Sequence, residues 1–269
     1  MGDPLVWELY AIKYATMQER TRATNLMGID AHEDAPMPID YYIWVARAGA
    51  RLFVIDTGFT VEEGKRRGRT VLRDVADGLA MLGIDAAAVQ DVIVTHLHYD
   101  HIGGHDRFSR ARYHLQASEM EYVTGPYMCA PAIRHSYTVD HIVEMVRRVY
   151  EDRVVFYEGE AEIAPGITVH PMPGHTKGLM SVRVLTKRGW VVVASDATHF
   201  YENMERRMAF PTVFNVGDAI LTFDRLQRLA GDRALIVPGH DPLVLARYPA
   251  PEKRFEGVIA RLDVAPTQA

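Results

Sequence analysis

Directly behind the apolar run Val92-Ile93-Val94, three imidazoles and a carboxylate fall within six positions: His96, His98, Asp100 and His101. Side chains alternate faces along an extended segment, so His96 and His98 leave the chain on the same side. Asp100 and His101 follow where the strand gives way to a turn containing Gly103 and Gly104. Neutral imidazole and carboxylate are the ligands of zinc and of other borderline first-row metals. Four such groups on one tetrahedral ion leave no position open, so the spacing points toward two metals. An isolated histidine is most often an ordinary loop residue, but a cluster this dense is not.

The same arrangement recurs three times. Ile167–Val169 precedes Pro173-Gly174-His175, Val191–Ala194 precedes Asp196, and Leu235–Val237 precedes Pro238-Gly239-His240. If these runs are strands with like-oriented ends, the four sets of potential ligands gather at one rim of a sheet scaffold, where sites commonly sit. Each of the later three has a plain reading when taken singly. Pro-Gly marks a turn by itself, and Asp196 in Ala194-Ser195-Asp196-Ala197 suits a helix N-cap. Their order and placement strengthen one another.

At 269 residues, the chain is long enough for one substantial core and need not be divided. A net charge of -5 leaves no electrostatic footprint for nucleic acid. The nearest thing to a basic run, Lys65-Arg66-Arg67-Gly68-Arg69, reads as a solvated helix or loop face. A single cysteine, Cys129, rules out an intrachain disulfide and a cysteine-based zinc site. Met1-Gly2-Asp3-Pro4 lacks the basic start of a secretory signal, and no stretch approaches a membrane span, so the default compartment is the cytoplasm.

Strand-like runs occupy residues 5–14 and 40–56, with Gly49 suggesting a hairpin and Asp56-Thr57-Gly58 closing the second run. Residues 61–83 are consistent with one amphipathic helix, and a strand over 91–95 leads into the histidine cluster. The segment 117–152 carries Gly125-Pro126 and Ala130-Pro131 breaks and then a helical pattern, and reads as a partly helical insertion covering the site. Further strands are expected at 167–169, 180–185, 190–194 and 234–237, and a helix at 216–230.

With its His-x-His-x-Asp-His motif followed downstream by His, Asp and His, the chain resembles the metallo-β-lactamase superfamily. All seven positions match in order, over roughly Tyr41 to Tyr248, and Asp56-Thr57-Gly58 matches a structural turn of the family. The resemblance implies a single α/β domain over 1–269, a four-layer αββα sandwich with metals between loops at one edge. It places His96, His98 and His175 on a first metal and Asp100, His101 and His240 on a second. The Asp196 carboxylate and a hydroxide would bridge them. The implied cofactors are two divalent ions, zinc first, with manganese, iron and cobalt accepted by the same ligands.

The implied chemistry is metal-assisted hydrolysis, with Asp100 as a shuttle for the leaving group's proton. An aspartate at 196, where many β-lactamases of this fold carry cysteine, argues against antibiotic hydrolysis. The overall look is that of the N-acyl-homoserine lactonase-like branch, which implies a small-molecule lactone or related cyclic ester. Where lactonases of that branch carry a tyrosine three residues after the bridging aspartate, this chain has His199, a candidate donor to the developing oxyanion. Three other readings stay open, among them a non-catalytic binding protein on this scaffold, against which the complete ligand set argues. A glyoxalase-II-like thioesterase would use the same ligands beside a basic pocket, and a mono-iron persulfide dioxygenase-like oxidoreductase would use fewer. Neither nucleic acid nor membrane is an expected partner, and the oligomeric state is left open, a homodimer included.

Overall fold

Tyr41 to Val45 is apolar at every position because both faces of its strand are buried. In the computed structural model of the chain, which describes residues 5–267, this strand is β2 (Ile39–Ala48). Residues 1–4, on which the reading of the N-terminus rests, lie outside the described residues. Tyr41, Ile43 and Val45 enter one apolar cluster, and Tyr42, Trp44 and Ala46 enter another. That is the signature of a strand covered on both sides. Each of these side chains contributes roughly 1.5–3 kcal/mol on burial, so a charge is poorly tolerated on either face.

The first sheet contains β1 (Glu8–Met17), β2, β3 (Arg51–Ile55), β4 (Thr70–Val71), β5 (Asp91–Ile93), β6 (Arg112–Gln116) and β7 (Val154–Tyr157). The second contains β8 (Ala161–Ala164), β9 (Ile167–Pro171), β10 (Met180–Thr186), β11 (Gly189–Ser195) and β12 (Ile236–Pro238). A last strand, β13 (Ile259–Arg261), returns to the first sheet, giving the order β13-β1-β2-β3-β5-β6-β7 with β4 on β1, while the second runs β12-β11-β10-β9-β8. The expected hairpin at Gly49 joins β2 and β3, with Ala48 opposite Arg51 and Gly49 at φ 59°.

Three apolar clusters separate the layers. One lies between the sheets, where Trp7, Trp44, Val182 and Val193 meet. Another lies between the first sheet and its helices α1 (Val61–Arg67), α2 (Val75–Ala80), α3 (Tyr99–Ile102), α4 (Ala117–Val123), α5 (Pro131–Arg134) and α6 (Val139–Tyr150), with Val75, Leu79, Ile142 and Met145 on the helical side. Beyond α7 (Tyr201–Arg206), the third packs α8 (Val216–Ala230) on the second sheet through Phe223 and Leu226 against Val192 and Ala194. The result is an αββα sandwich, and α8 occupies the expected 216–230.

The expected single helix over 61–83 is instead two short helices with a strand between them. Gly68 takes the left-handed conformation at φ 67° and closes α1. Val71 then joins β4 against Ala15 of β1, and Asp74 caps α2 by accepting from the Ala76 amide. The apolar spacing seen in the sequence belongs in part to the strand.

Strand direction places the site. β3, β5, β6 and β7 pair in parallel, so their C-terminal ends share one edge. In the second sheet β9 and β11 both run antiparallel to β10, and β12 runs parallel to β11. The ends of β9, β11 and β12 therefore also share an edge, and the loops holding His175, Asp196 and His240 all start there.

Candidate metal centre

β5 ends at Ile93, and the following residues are organised by Asp56. Its carboxylate accepts from the Thr95 amide at 2.7 Å, from Thr95 Oγ1 at 2.8 Å and from His101 Nδ1 at 2.7 Å. One buried acid thus ties the beginning of the histidine cluster to its end. Asp56 itself sits at φ 61° and Ser195 at φ 50°, left-handed backbone that persists only where the surroundings enforce it. Thr95 Oγ1 and Ser195 Oγ lie 2.9 Å apart and link the two sheets beside the site. Gly104 is required here, since a Cβ on it would lie 2.2 Å from the Thr57 carbonyl oxygen.

A second buried acid, Glu119 on α4, performs the same task between loops. It accepts from the Leu97 amide at 3.0 Å, from Thr176 Oγ1 at 2.7 Å and from the Gly178 amide at 3.0 Å. The His96–His98 loop is thereby fastened to the His175 loop. Burial raises the Glu119 pKa, although the three donors oppose it.

Three ring nitrogens converge at one end of the site. His96 Nε2 lies 3.0 Å and His175 Nε2 2.9 Å from His98 Nδ1. That nitrogen carries at most one hydrogen, so it cannot donate to both. Together with a carboxylate oxygen of Asp196 these atoms lie within 4.8 Å of one another. Asp100, His101 and His240 form a second such group. His101 donates through Nδ1 to Asp56, and His240 through Nδ1 to the Asp40 carbonyl at 2.8 Å, which turns both Nε2 atoms toward the acids of the site.

Asp196 stands between the groups. Its Oδ2 is 3.1 Å from His175 Nε2 and 3.1 Å from His199 Nε2, and its Oδ1 is 3.0 Å from His240 Nε2 and 3.3 Å from His101 Nε2. His101 Nε2 and Asp196 Oδ1 are both buried without a hydrogen-bond partner among the described residues, despite their separation. Two close atoms that do not bond each other but face the same space are arranged as ligands to a third body. The donor set, imidazole nitrogen and carboxylate oxygen, fits a divalent first-row metal.

The electrostatics agree. Burial disfavours the Asp196 anion, but the imidazoles of His199, His240, His101 and His175 outweigh it and hold the carboxyl well below its usual range. Burial also works against a charged His101, yet Asp196, Asp56 and Asp100 hold its pKa well above the ordinary value. His96 and His98 are pushed well below it by burial and by their neighbouring imidazoles. A neutral pair of rings beside acids that favour positive charge is suited to receive a cation, which displaces protons as it binds.

All eight site residues read from the sequence, His96, His98, Asp100, His101, His175, Asp196, His199 and His240, therefore lie at one place and are buried. His199 stacks on Phe210, with ring centres 3.6 Å apart and 3° between planes. Tyr201, two residues further along, packs in the cluster between the sheets. Phe200, between them, is core as well. The loops open into a cavity of about 250 Å³ whose lining includes Arg20 and Arg69. The basic run is thus not all solvated: Arg67 lies 4.0 Å over the Tyr99 ring and Arg69 bonds the Tyr99 hydroxyl. Arg20, Arg69, Glu119 and Phe210 carry no local sequence signal, and only folding brings them here.

A family model for the metallo-beta-lactamase superfamily matches residues 38–240. A probable metallo-hydrolase of Mycobacterium tuberculosis is 28% identical over 220 residues, covering 72% of this chain and 69% of its own. An N-acyl homoserine lactonase of a Bacillus species is 28% identical over 165 residues, covering 61% of this chain and 60% of its own. The crystal structure of a quorum-quenching N-acyl homoserine lactone lactonase superposes with a TM-score of 0.74 at 21% identity, over 90% of this chain and 94% of that one. A likeness at that identity speaks to the fold. No helix among the described residues is long and apolar enough to cross a membrane.

Proposed function

Because the chain belongs to the metallo-beta-lactamase superfamily, we propose that it is a dinuclear metal hydrolase that opens a lactone or a related cyclic ester. The observation that carries this reading is Asp196, whose two oxygens face two separate groups of ligand atoms. His96, His98 and His175 would hold one divalent ion and Asp100, His101 and His240 another, with Asp196 between the two groups, and the metals would supply Lewis-acid activation of an ester carbonyl and of water near neutral pH. Two groups rather than one favour this reading over a mono-iron oxidoreductase. Zinc is the proposed metal.

The chain's own residues orient and move protons. Asp56 and the Asp40 carbonyl fix the rings of His101 and His240 through their Nδ1 atoms. Asp100 Oδ2, 3.7 Å from His240 Nε2 and at the wall of the cavity, is placed to carry a proton to the leaving oxygen. His199, also at the wall and with Nε2 3.1 Å from Asp196 Oδ2, is the proposed donor to charge growing on the carbonyl oxygen. The 117–152 segment supports its reading as a cover for the site, since Tyr137 packs on His98 with ring centres 4.5 Å apart. Lactone is favoured by the named activity of the Bacillus relatives. A thioester is the second reading, favoured by Arg20 and Arg69 in the cavity wall.

The deciding experiment combines metal analysis with a panel of lactones, thioesters and β-lactams. The expected result is about two metals per chain and lactone turnover, with Asp196→Ala losing both metal and hydrolysis. Full activity in a metal-free preparation overturns the mechanism.

A further inference from the structure

We propose that the substrate of this site carries an anionic group, a carboxylate or a phosphate, held by Arg20 and Arg69. The inference rests on the reading of the cavity as an ester-hydrolysing site and adds the chemical class of what enters it.

Both arginines are half-buried and line the same cavity as Asp100, His199 and His240. Their protein partners are all neutral. Arg69 donates from Nε to the Tyr99 hydroxyl at 3.1 Å and from one terminal nitrogen to the Arg67 carbonyl at 2.6 Å. Arg20 donates to the Asn25 side-chain oxygen at 2.5 Å and to the Thr24 carbonyl. Neither forms a salt bridge among the described residues. By contrast Arg22, Arg66, Arg67, Arg107 and Arg206 each pair with an acid.

Two partly desolvated cations side by side without a counter-charge are unfavourable. Burial lowers the Arg20 pKa, and the neighbouring Arg69 adds to that while Tyr41 and Tyr99 oppose it. Against its burial, Tyr99, Tyr41 and, across the cavity, Asp100 favour the Arg69 cation, but Asp100 forms no ion pair with either arginine and its Oδ2 stands 3.7 Å from His240 Nε2. A bound carboxylate or phosphate supplies the counter-charge, and the planar guanidinium offers paired donors to either group. Size points the same way. A cavity of about 250 Å³ has room for a small acid, roughly eight water-sized groups.

The test uses the metal-loaded protein and two pairs of lactones that differ by one anionic group: γ-butyrolactone against its γ-carboxylate, and glucono-δ-lactone against its 6-phosphate. In at least one pair the charged member is expected to have a kcat/KM about tenfold or more above the neutral one, and the pair that shows it separates carboxylate from phosphate. Arg69→Gln and Arg20→Gln each bring that ratio down about tenfold, chiefly through KM, and Arg69→Lys restores part of it. Calorimetric titration with glutarate and with inorganic phosphate reads the same subsite without turnover, and the better binder weakens about tenfold in Arg69→Gln.

A charged-to-neutral ratio at or below one in both pairs, or a ratio unmoved in Arg69→Gln, overturns the anion subsite while the lactonase reading stands. So does faster turnover of a long-chain N-acyl homoserine lactone than of either charged lactone. If no lactone turns over, the lactonase reading falls, and the two titrations decide the anion subsite by themselves. Arg20 also anchors the loop at Thr24 and Asn25, so Arg69→Gln alone decides the matter if Arg20→Gln does not fold.

Discussion

Apart from the proposed metal ligands, His199 is the residue proposed to act on the substrate directly. Burial pushes its pKa down to about 3, so the ring is neutral at physiological pH and has one N–H to give. The stack on Phe210 fixes its plane, and a phenylalanine at 199 preserves that stack while removing the donor. We therefore expect His199→Phe to fold, to keep its metal content, and to lose roughly 10²–10³ in kcat, the usual cost of one oxyanion donor. An unchanged kcat removes His199 from the reaction. The ligand residues were legible in the sequence because imidazole and carboxylate follow directly on apolar strands, a local pattern. Glu119 was not, because its three partners are Leu97, Thr176 and Gly178, contributed by other loops. Arg20 and Arg69 were hidden for the same reason. What distinguishes them is that they line the same cavity as the ligand cluster without an ion pair among the described residues, and only the folded chain shows that.

At the level of elements, the strands and α8 were readable because burial on one or two faces leaves a period in the sequence. The 61–83 region misled because β4 places Val71 and the following turn at spacings that also suit a helix. The joint that region forms with the 117–152 segment is testable. Glu63 on α1 accepts from Arg66 at 2.6 Å, from Arg67 at 2.5 Å and from Thr138 Oγ1 at 2.8 Å, the last just ahead of α6. Burial alone raises the Glu63 pKa, but these donors outweigh it and bring it from 4.5 to about 2. A carboxyl with a lower pKa in the folded state binds fewer protons there than in the unfolded chain. Its contribution is therefore complete above about pH 4.5 and is lost as the pH falls toward 2. Glu63→Gln is expected to cost about 2 kcal/mol near neutral pH, as for hydrogen bonds to a charged group. It should also flatten the fall in stability over that acid window. Denaturant unfolding of both proteins between pH 2 and pH 7 checks it, and parallel acid limbs count against the joint.

For the molecule as a whole, the two halves of the sandwich supply different parts of the site. His96, His98, Asp100 and His101 follow β5 of the first sheet, whereas His175, Asp196 and His240 follow β9, β11 and β12 of the second. Metal bound by both sets would therefore cross-link the sheets at the edge where their strands end, opposite in character to the apolar cluster that joins them elsewhere. A ligand that binds only the folded chain stabilises it by about 2.7 kcal/mol when present at a hundred times its dissociation constant. For a chain of this length that is a melting shift of roughly 5–10 °C. Removal of metal with a chelator should lower the melting temperature by that order, and zinc should restore it. The far-UV circular dichroism should change little, because the three apolar clusters that define the layers contain none of the ligands. Calorimetry on the chelated and reloaded protein, with metal content measured in each sample, makes the comparison. Equal melting temperatures with and without bound metal would mean that metal binds the unfolded chain as well as the folded one, and would count against the cross-link. A large loss of secondary structure would mean that metal binding is built into folding itself.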